Sequence, residues 1–298
     1  MSAGSIDYGV RQGPPRWLVL ALVAERNLGA LLALLLVPPN ASLVALCAAS
    51  YAIRLWGMEG AYHRYFAHRS YKAGRAVQFV LALIGLQAGQ RGLLWWASRH
   101  RDHHKYADTD RDFHSPVTKP FGYAYGGWLA DSKNLVARLN DIPDFARYPE
   151  LRWLDRHYQL VLYAGAALLF VAGHRGWLGS GVNGWGALLW GFYLPVALVM
   201  HAVSSVNTLC HMPRLPLNYR RYATPDHSTN RPLLALLTLG TGWHNNHHRY
   251  AAAGRAGFAW YEFDVVYYVL RFLNAVGVIR ELRTRVPPEI LEEGGIRA

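Results

Sequence analysis

The sequence predicts an all-α membrane protein with four transmembrane helices and a cytosolic helical cap. Two observations lead to this prediction. Four apolar segments have the length of membrane spans, and the basic residues concentrate on one side of them. Of the 298 residues, 52% are hydrophobic, and a helix of about 20 apolar residues crosses a bilayer.

A single membrane domain, residues 17–286, is expected between a polar N-terminal tail, 1–16, and a C-terminal tail, 287–298. The first span contains a polar interruption, Glu25-Arg26-Asn27, which we expect to face the protein interior because charged groups are costly in lipid. The four spans are predicted at about 17–37, 41–62, 158–173 and 185–206.

Residues 63–157 and 207–286 are mostly polar and form the predicted cap. With the two tails, this side carries 28 of the 31 Lys and Arg residues, whereas the opposite loops carry only Arg175. Because basic loops stay in the cytoplasm, the cap and both termini are predicted to be cytoplasmic, at a bacterial inner membrane. The net charge of +12 then belongs to a membrane surface. No nucleic-acid partner is expected, since basic motifs with interleaved aromatics are lacking.

Three short histidine boxes fall in the predicted cap and hold eight of the chain's 14 histidines. They are His63-Arg-Tyr-Phe-Ala-His68, His100-Arg-Asp-His103-His104 and His244-Asn-Asn-His247-His248. On a helix, positions i, i+3 and i+4 share a face, so each HxxHH box aims three imidazoles at one point. Neutral imidazole is the commonest metal ligand. The boxes therefore predict a metal site.

A fifth apolar stretch, residues 76–96, is interpreted as a helix in the membrane interface or against the bundle. A full span here would place the first and second boxes on opposite sides of the membrane, where one metal site could not use both. Gln87, Gln90 and Arg91 also make a poor lipid-exposed centre.

Eight histidines are too many for one ion, because zinc sites take about four ligands and octahedral metals about six. The cap is therefore predicted to hold a dimetal site. Imidazole suits both zinc and iron, and a zinc pair stays open. Iron is favoured for a site beside apolar substrates, since oxygen chemistry on unactivated carbon needs a redox metal. Asn207 and His211 share a face at the end of the fourth span, which makes His211 a ninth candidate ligand.

Longer motifs surround the boxes. They are HRYFAHRSYK, HRDHHKYAD followed by HSP, the NxxxH of Asn207 and His211, and GWHNNHH followed by GFxWYExD. With these motifs the chain resembles the integral-membrane fatty-acid desaturases from about residue 40 to about residue 285. The resemblance is closest to the acyl-lipid and stearoyl-CoA Δ9 type. The third box begins with His244, where front-end desaturases usually have Gln.

The resemblance implies a four-span bundle whose cytosolic cap holds two irons, with Asn207 bound through water. The implied histidine ligands are His63, His68, His100, His103, His104, His211, His244, His247 and His248. Molecular oxygen and two electrons would then remove two hydrogens from adjacent methylenes of an acyl chain. The electrons would come from an external donor, a ferredoxin, a rubredoxin or a cytochrome b5-like protein with its reductase.

Side chains around the ligands have expected supporting roles. Ligand histidines usually donate their other N–H to a carboxylate or carbonyl, and the candidate acceptors are Asp102, Asp108, Asp112 and Asp264. Candidates to line an apolar substrate tunnel are Trp95, Trp96, Tyr125, Trp128, Thr241, Trp243 and Trp260. Tyr125 and Thr241 stand where many family members have a Ser-His pair and a Gly-Glu-Gly segment. These departures keep every ligand and leave the substrate and the double-bond position open.

Two alternatives remain open. The same metal site could catalyse hydroxylation or triple-bond formation, because these reactions and desaturation start from one common radical of the substrate. It could also act on a carrier-bound or specialised-metabolite substrate. A membrane protein that binds or transports metal is the second alternative, and it predicts a pathway of ionisable groups within the spans. The candidates there are only Glu25, Arg26, Arg54 and His201.

Overall fold

The computed structural model describes residues 7–296, which are mostly helical. In chain order the α-helices are α1 Arg16–Leu36, α2 Ala41–Trp56, α3 Arg75–Leu86, α4 Leu93–Tyr106, α5 Phe121–Tyr125, α6 Ser132–Leu135, α7 Pro143–Ala146, α8 Pro149–Arg156, α9 Tyr158–His174, α10 Gly184–Leu188, α11 Leu194–Leu209, α12 Pro232–Leu237, α13 His244–Arg249, α14 Val265–Ala275 and α15 Pro288–Glu293. The strands are β1 Val10–Arg11, β2 Lys72–Ala73, β3 Ala137–Arg138 and β4 Ile279–Arg280. The predicted helical fold class is confirmed.

Within the described residues, three continuous helices are long and apolar enough to cross a membrane: Arg16–Leu36, Ala41–Ala67 and Gly184–Leu209. They match three of the four predicted spans. The remaining predicted span is α9, an apolar helix of 17 residues that is shorter than the others. Four membrane crossings therefore stay a prediction.

Two of the long helices contain π-helical stretches. α2 continues without a break into a π-helix at Gly57–Ala67, and α10 is joined to α11 through π-helical turns at Leu189–Tyr193. Such turns occur often at functional sites, and the first of them carries His63. The Asn40 side chain accepts a hydrogen bond from the Leu43 N–H (2.9 Å) and fixes where α2 begins.

The predicted single helix over 76–96 is wrong, because the structure forms two helices there. α3 ends at Leu86 and α4 begins at Leu93. The connecting turn includes two residues in the left-handed region, Gly89 (φ 70°) and Arg91 (φ 69°), which a continuous α-helix cannot contain. The break separates α3, with Phe79 and Val80 exposed, from α4, whose first residues are buried.

Asp155 of α8 fixes the start of α4. Its Oδ1 accepts hydrogen bonds from the backbone N–H groups of Leu94 (2.8 Å) and Trp95 (3.1 Å), and its Oδ2 pairs with Arg11 of β1. A Cβ added at Gly92 would overlap Oδ1 and the backbone oxygen of Asp155, so only glycine fits there. This one buried carboxylate ties β1, α4 and α8 together.

Parts of both predicted tails belong to the folded domain. β1 pairs antiparallel with β3, Val10 opposite Arg138, so the predicted tail 1–16 joins the fold at Val10, and its first six residues lie outside the described part. Near the other end, α15 packs on the cap through buried Ile290. The predicted tail 287–298 therefore belongs largely to the cap, with residues 297–298 outside the described part.

Replacing Asp155 with Ala is expected to lower the free energy of unfolding by about 2 kcal/mol or more, because two N–H groups of α4 and Arg11 lose their acceptor. Asp155→Asn keeps one acceptor oxygen and is expected to lose less. Thermal unfolding in detergent measures both, with the exposed Asp110→Ala as the control. A transition temperature for Asp155→Ala equal to that of the control would contradict this role.

Candidate metal centre

The three histidine boxes meet in the fold, although they lie on the π-helix, on α4 and on α13. Their imidazoles and that of His211 form two groups in which the ligand nitrogens lie within 4.8 Å of one another. The first group is His63, His68, His100, His104 and His247, and the second is His103, His211, His244 and His248. All nine histidines predicted as ligands are in one of these groups.

Distances between nitrogens in the first group match those of ligands on a common ion. The distance between Nε2 atoms is 2.9 Å for the pair His63 and His247 and 3.0 Å for His68 and His100. It is 3.1 Å for His100 and His104 and 3.0 Å for His104 and His247. Two nitrogens bound at right angles about 2.1 Å from one metal lie about 3.0 Å apart, and a tetrahedral site spaces them at about 3.4 Å. These four distances are those of nitrogens that face a common ion.

Buried carboxylates orient four of the imidazoles. In each case a carboxylate oxygen lies within 3.0 Å of the histidine Nδ1, in the pairs Glu59–His63, Asp112–His103, Asp108–His211 and Asp226–His248. This bond places the proton on Nδ1 and leaves the Nε2 lone pair free for a metal. The buried Nε2 atoms of His103 and His248 have no hydrogen-bond partner among the described residues. The donor set therefore fits a metal ion.

The carboxylates agree in part with the sequence analysis. The predicted roles of Asp108 and Asp112 are confirmed, but those of Asp102 and Asp264 are wrong. Asp102 pairs with Arg138 (3.3 Å), and Asp264 accepts two hydrogen bonds from Arg64. Two carboxylates that bond histidines of the two groups, Glu59 and Asp226, were not predicted.

One of these two carboxylates could have been found in the sequence. Glu59 precedes His63 by four residues on one helix, and that spacing is a readable signal. Asp226 lies in the irregular segment between α11 and α12, where no local pattern relates it to His248.

The protonation of the cluster favours metal binding, which needs neutral imidazoles. Burial, and then the neighbouring histidines and arginines, lower the pKa well below 6.5 for His68, His100, His104, His244 and His247. Burial opposes ionisation of Asp108, but His211, Ser115 and the backbone N–H of His227 together outweigh that effect and lower the pKa of Asp108 to about 2. These five imidazoles are thus neutral, whereas the carboxylates of Asp112, Asp108 and Asp226 together outweigh burial and raise the pKa of His103.

A small cavity opens beside the first group. Its lining combines apolar residues (Trp96, Val203 and Val206) with Asn207, Thr241 and the metal-site residues Glu59, His63, His100 and His244. The Trp96 ring stacks on His100, with 4.6 Å between ring centroids. The structure thus brings two of the tunnel candidates, Trp96 and Thr241, and also Asn207 to the metal centre.

The other tunnel candidates lie elsewhere. Trp95 and Trp128 stack on each other in the core at 5.9 Å, and the Trp243 indole donates to the Phe263 carbonyl. The Tyr125 hydroxyl lies 2.9 Å from Nδ1 of His201 on α11. The prediction for Trp260 is wrong, because its side chain is 86% exposed and lines a surface cavity whose residues include none of the metal-site histidines.

Comparison with known proteins agrees with this site. The family model described as fatty acid desaturase matches residues 11–277. The chain belongs to the fatty acid desaturase family. This desaturase is 35% identical over 248 residues to an acyl-CoA C20 Delta5-desaturase of Anemone leveillei. The alignment covers 82% of this chain and 74% of the relative.

Two further relatives are named for Δ9 positions. Delta-9 acyl-lipid desaturase 1 of Arabidopsis thaliana is 32% identical over 236 residues, 78% of this chain and 72% of the relative. The sn-1 stearoyl-lipid 9-desaturase of Synechocystis is 31% identical over 278 residues, 92% of this chain and 82% of the relative. The family identification made from the histidine motifs is confirmed, and the desaturase is an oxidoreductase by its family.

Replacing Asp226 with Asn is expected to weaken metal retention about 10- to 100-fold, because His248 loses the carboxylate that orients it. Metal content after dialysis against graded chelator concentrations measures this loss. The exposed Asp110→Asn removes the same charge away from the histidines and is expected to behave like the unchanged protein. Equal retention by the two variants would show that Asp226 does not support a metal ligand.

Proposed function

We propose that this desaturase is a diiron, O2-dependent enzyme that introduces a double bond into an acyl chain carried by a lipid or a thioester. The observation that supports this proposal most is that α4 and α13 each supply histidines to both groups. α4 contributes His100 and His104 to the first group and His103 to the second. α13 contributes His247 to the first and His244 to the second. Two ions held in this way are neighbours.

In this proposal His63, His68, His100, His104 and His247 bind one iron. The other iron is bound by His103, His211, His244 and His248, with Asn207 acting through a water molecule. Asn207 lines the same cavity as His63 and His244, which supports this role. These side chains would hold the two irons from all three histidine boxes and from the end of α11.

Bound iron would supply the redox chemistry that breaks unactivated C–H bonds. Overall, O2, two electrons and two protons remove two hydrogens from adjacent methylenes and yield the alkene and two waters. The chain's own residues hold and shield the reacting methylenes. Val203, Val206 and Trp96 present an apolar wall beside the ligands, while Thr241 supplies the cavity's one hydroxyl group.

The direction of the helices supports four membrane crossings. The 26-residue helix Gly184–Leu209 ends beside His211 at the metal centre, so its start lies about 39 Å away at 1.5 Å per residue. α9 begins at Tyr158, in the core that surrounds the metal-bearing helices, and its Gly173 packs against Asn183 and Ala187 near that far end. α9 thus runs in the opposite direction, although its 17 residues extend only about 26 Å. We therefore place it as the third of four spans.

We infer that the cap and both termini lie in the cytoplasm, at the inner membrane of a bacterium, and the excess of basic residues on that side supports the orientation. Residues 63–157 carry 15 Lys or Arg against nine Asp or Glu. A basic surface of this kind favours encounter with an acidic protein. We therefore propose an external electron donor, a ferredoxin, a rubredoxin or a cytochrome b5-like protein, supplied by its reductase.

Cells that express the desaturase are expected to accumulate acyl chains two hydrogens lighter than those of control cells, as measured by mass spectrometry of lipid extracts. His104→Ala and His247→Ala are expected to abolish the product, because each removes a proposed iron ligand. His174→Ala, at the exposed end of α9, is the matched control and should retain it. Products heavier by one oxygen, without unsaturation, would identify a hydroxylase and contradict the proposal.

A further inference from the structure

A second cavity lies between α1, the turn that joins α3 to α4, and the facing sides of α9 and α11. Most of its lining is apolar and includes Val19, Leu22, Val23, Leu129 and Met200. Two arginines also line it, Arg26 of α1 and Arg91 of the turn. Its lining residues are different from those of the cavity at the metal centre. We call it the arginine cleft.

Both arginines are buried, with 5% of Arg26 and 8% of Arg91 exposed. Arg26 donates to the Gly89 carbonyl (2.8 Å) and to Oε1 of Gln159 (3.2 Å). Arg91 donates to the Leu135 carbonyl (3.2 Å) and lies 3.8 Å over the Trp95 ring. Three of their nitrogens, Nε of Arg26 and Nε and Nη1 of Arg91, have no partner among the described residues.

Neither arginine forms an ion pair within residues 7–296, and the nearby carboxylates are engaged elsewhere. Oε2 of Glu25 accepts a hydrogen bond from the Tyr163 hydroxyl (2.8 Å). Asp155 binds Arg11 and the N–H groups at the start of α4. Burial lowers the pKa of Arg91 to about 10, and the neighbouring Tyr158 and Asp155 oppose that shift only in part. Two buried guanidinium groups in one cleft are costly unless an anion joins them.

We propose that the arginine cleft binds the phosphate group of an anionic phospholipid from the surrounding membrane. Guanidinium groups present paired N–H donors that match phosphate oxygens, and the unpartnered nitrogens supply such donors. The lining is mostly apolar, which favours a lipid over a free phosphate ion. Tyr158, at the start of α9, also lines the cleft and places it toward the cap end of the bundle.

The test uses the full-length desaturase, delipidated in detergent, with vesicles of phosphatidylcholine with and without phosphatidylglycerol. Phosphatidylglycerol is expected to bind and raise the unfolding temperature, whereas phosphatidylcholine alone and inorganic phosphate are not. Arg91→Gln is expected to weaken phosphatidylglycerol binding about tenfold, the effect of losing one charge-assisted hydrogen bond. Arg280→Gln, an exposed arginine away from the cleft, is the charge-matched control and should bind like the unchanged protein.

A second variant separates binding from folding. Val23→Trp fills the apolar part of the cleft and keeps both arginines, and it is also expected to reduce phosphatidylglycerol binding. If Arg91→Gln does not fold, Val23→Trp decides the test. Retention of phosphatidylglycerol by both cleft variants would overturn the proposal, as would equal stabilisation by inorganic phosphate, which identifies a free-phosphate site. None of these readouts depends on iron or on desaturation.

Discussion

The structure depends on the hydrogen bonds between buried carboxylates and the Nδ1 atoms of four metal-site histidines. Each bond fixes a ring tautomer and turns the Nε2 lone pair toward the inside of the cap. The acceptors come from separate parts of the chain: Glu59 is on the π-helix, Asp108 and Asp112 follow α4, and Asp226 follows α11. The cap must fold as one unit for all four bonds to form.

The same hydrogen bonds set how neighbouring rings meet. Nine imidazoles converge, several with Nε2 atoms about 3 Å apart. A ring whose Nδ1 donates to a carboxylate presents its Nε2 lone pair, which can accept an N–H from a neighbouring ring or bind a metal ion. Because the ligands of a metal come together only in the folded cap, metal binding and folding of the cap are expected to be coupled. The carboxylates also bring negative charge close to the two histidine groups.

Sequence periodicity predicted the features that rest on local patterns. The apolar segments form α1, α2, α9 and the helix Gly184–Leu209. The prediction that each HxxHH box aims three imidazoles at one point is wrong, because the structure divides the histidines of each such box between the two groups. The turn at Gln87–Gly92 was missed, because an apolar stretch without proline reads as a continuous helix. The left-handed backbone at Arg91 is held by tertiary contacts, including the Leu135 carbonyl. Asp226 and the packing of α15 depend on contacts distant in sequence, for which one chain contains no local signal.

The most direct measurement is anomalous X-ray scattering from crystals of the purified desaturase at the iron and zinc absorption edges. The account predicts two iron peaks per chain, one inside the group of His63, His68, His100, His104 and His247. The other should lie inside the group of His103, His211, His244 and His248. Zinc alone in these positions, after iron-replete anaerobic preparation, or a single peak shared by the two groups would contradict a diiron centre.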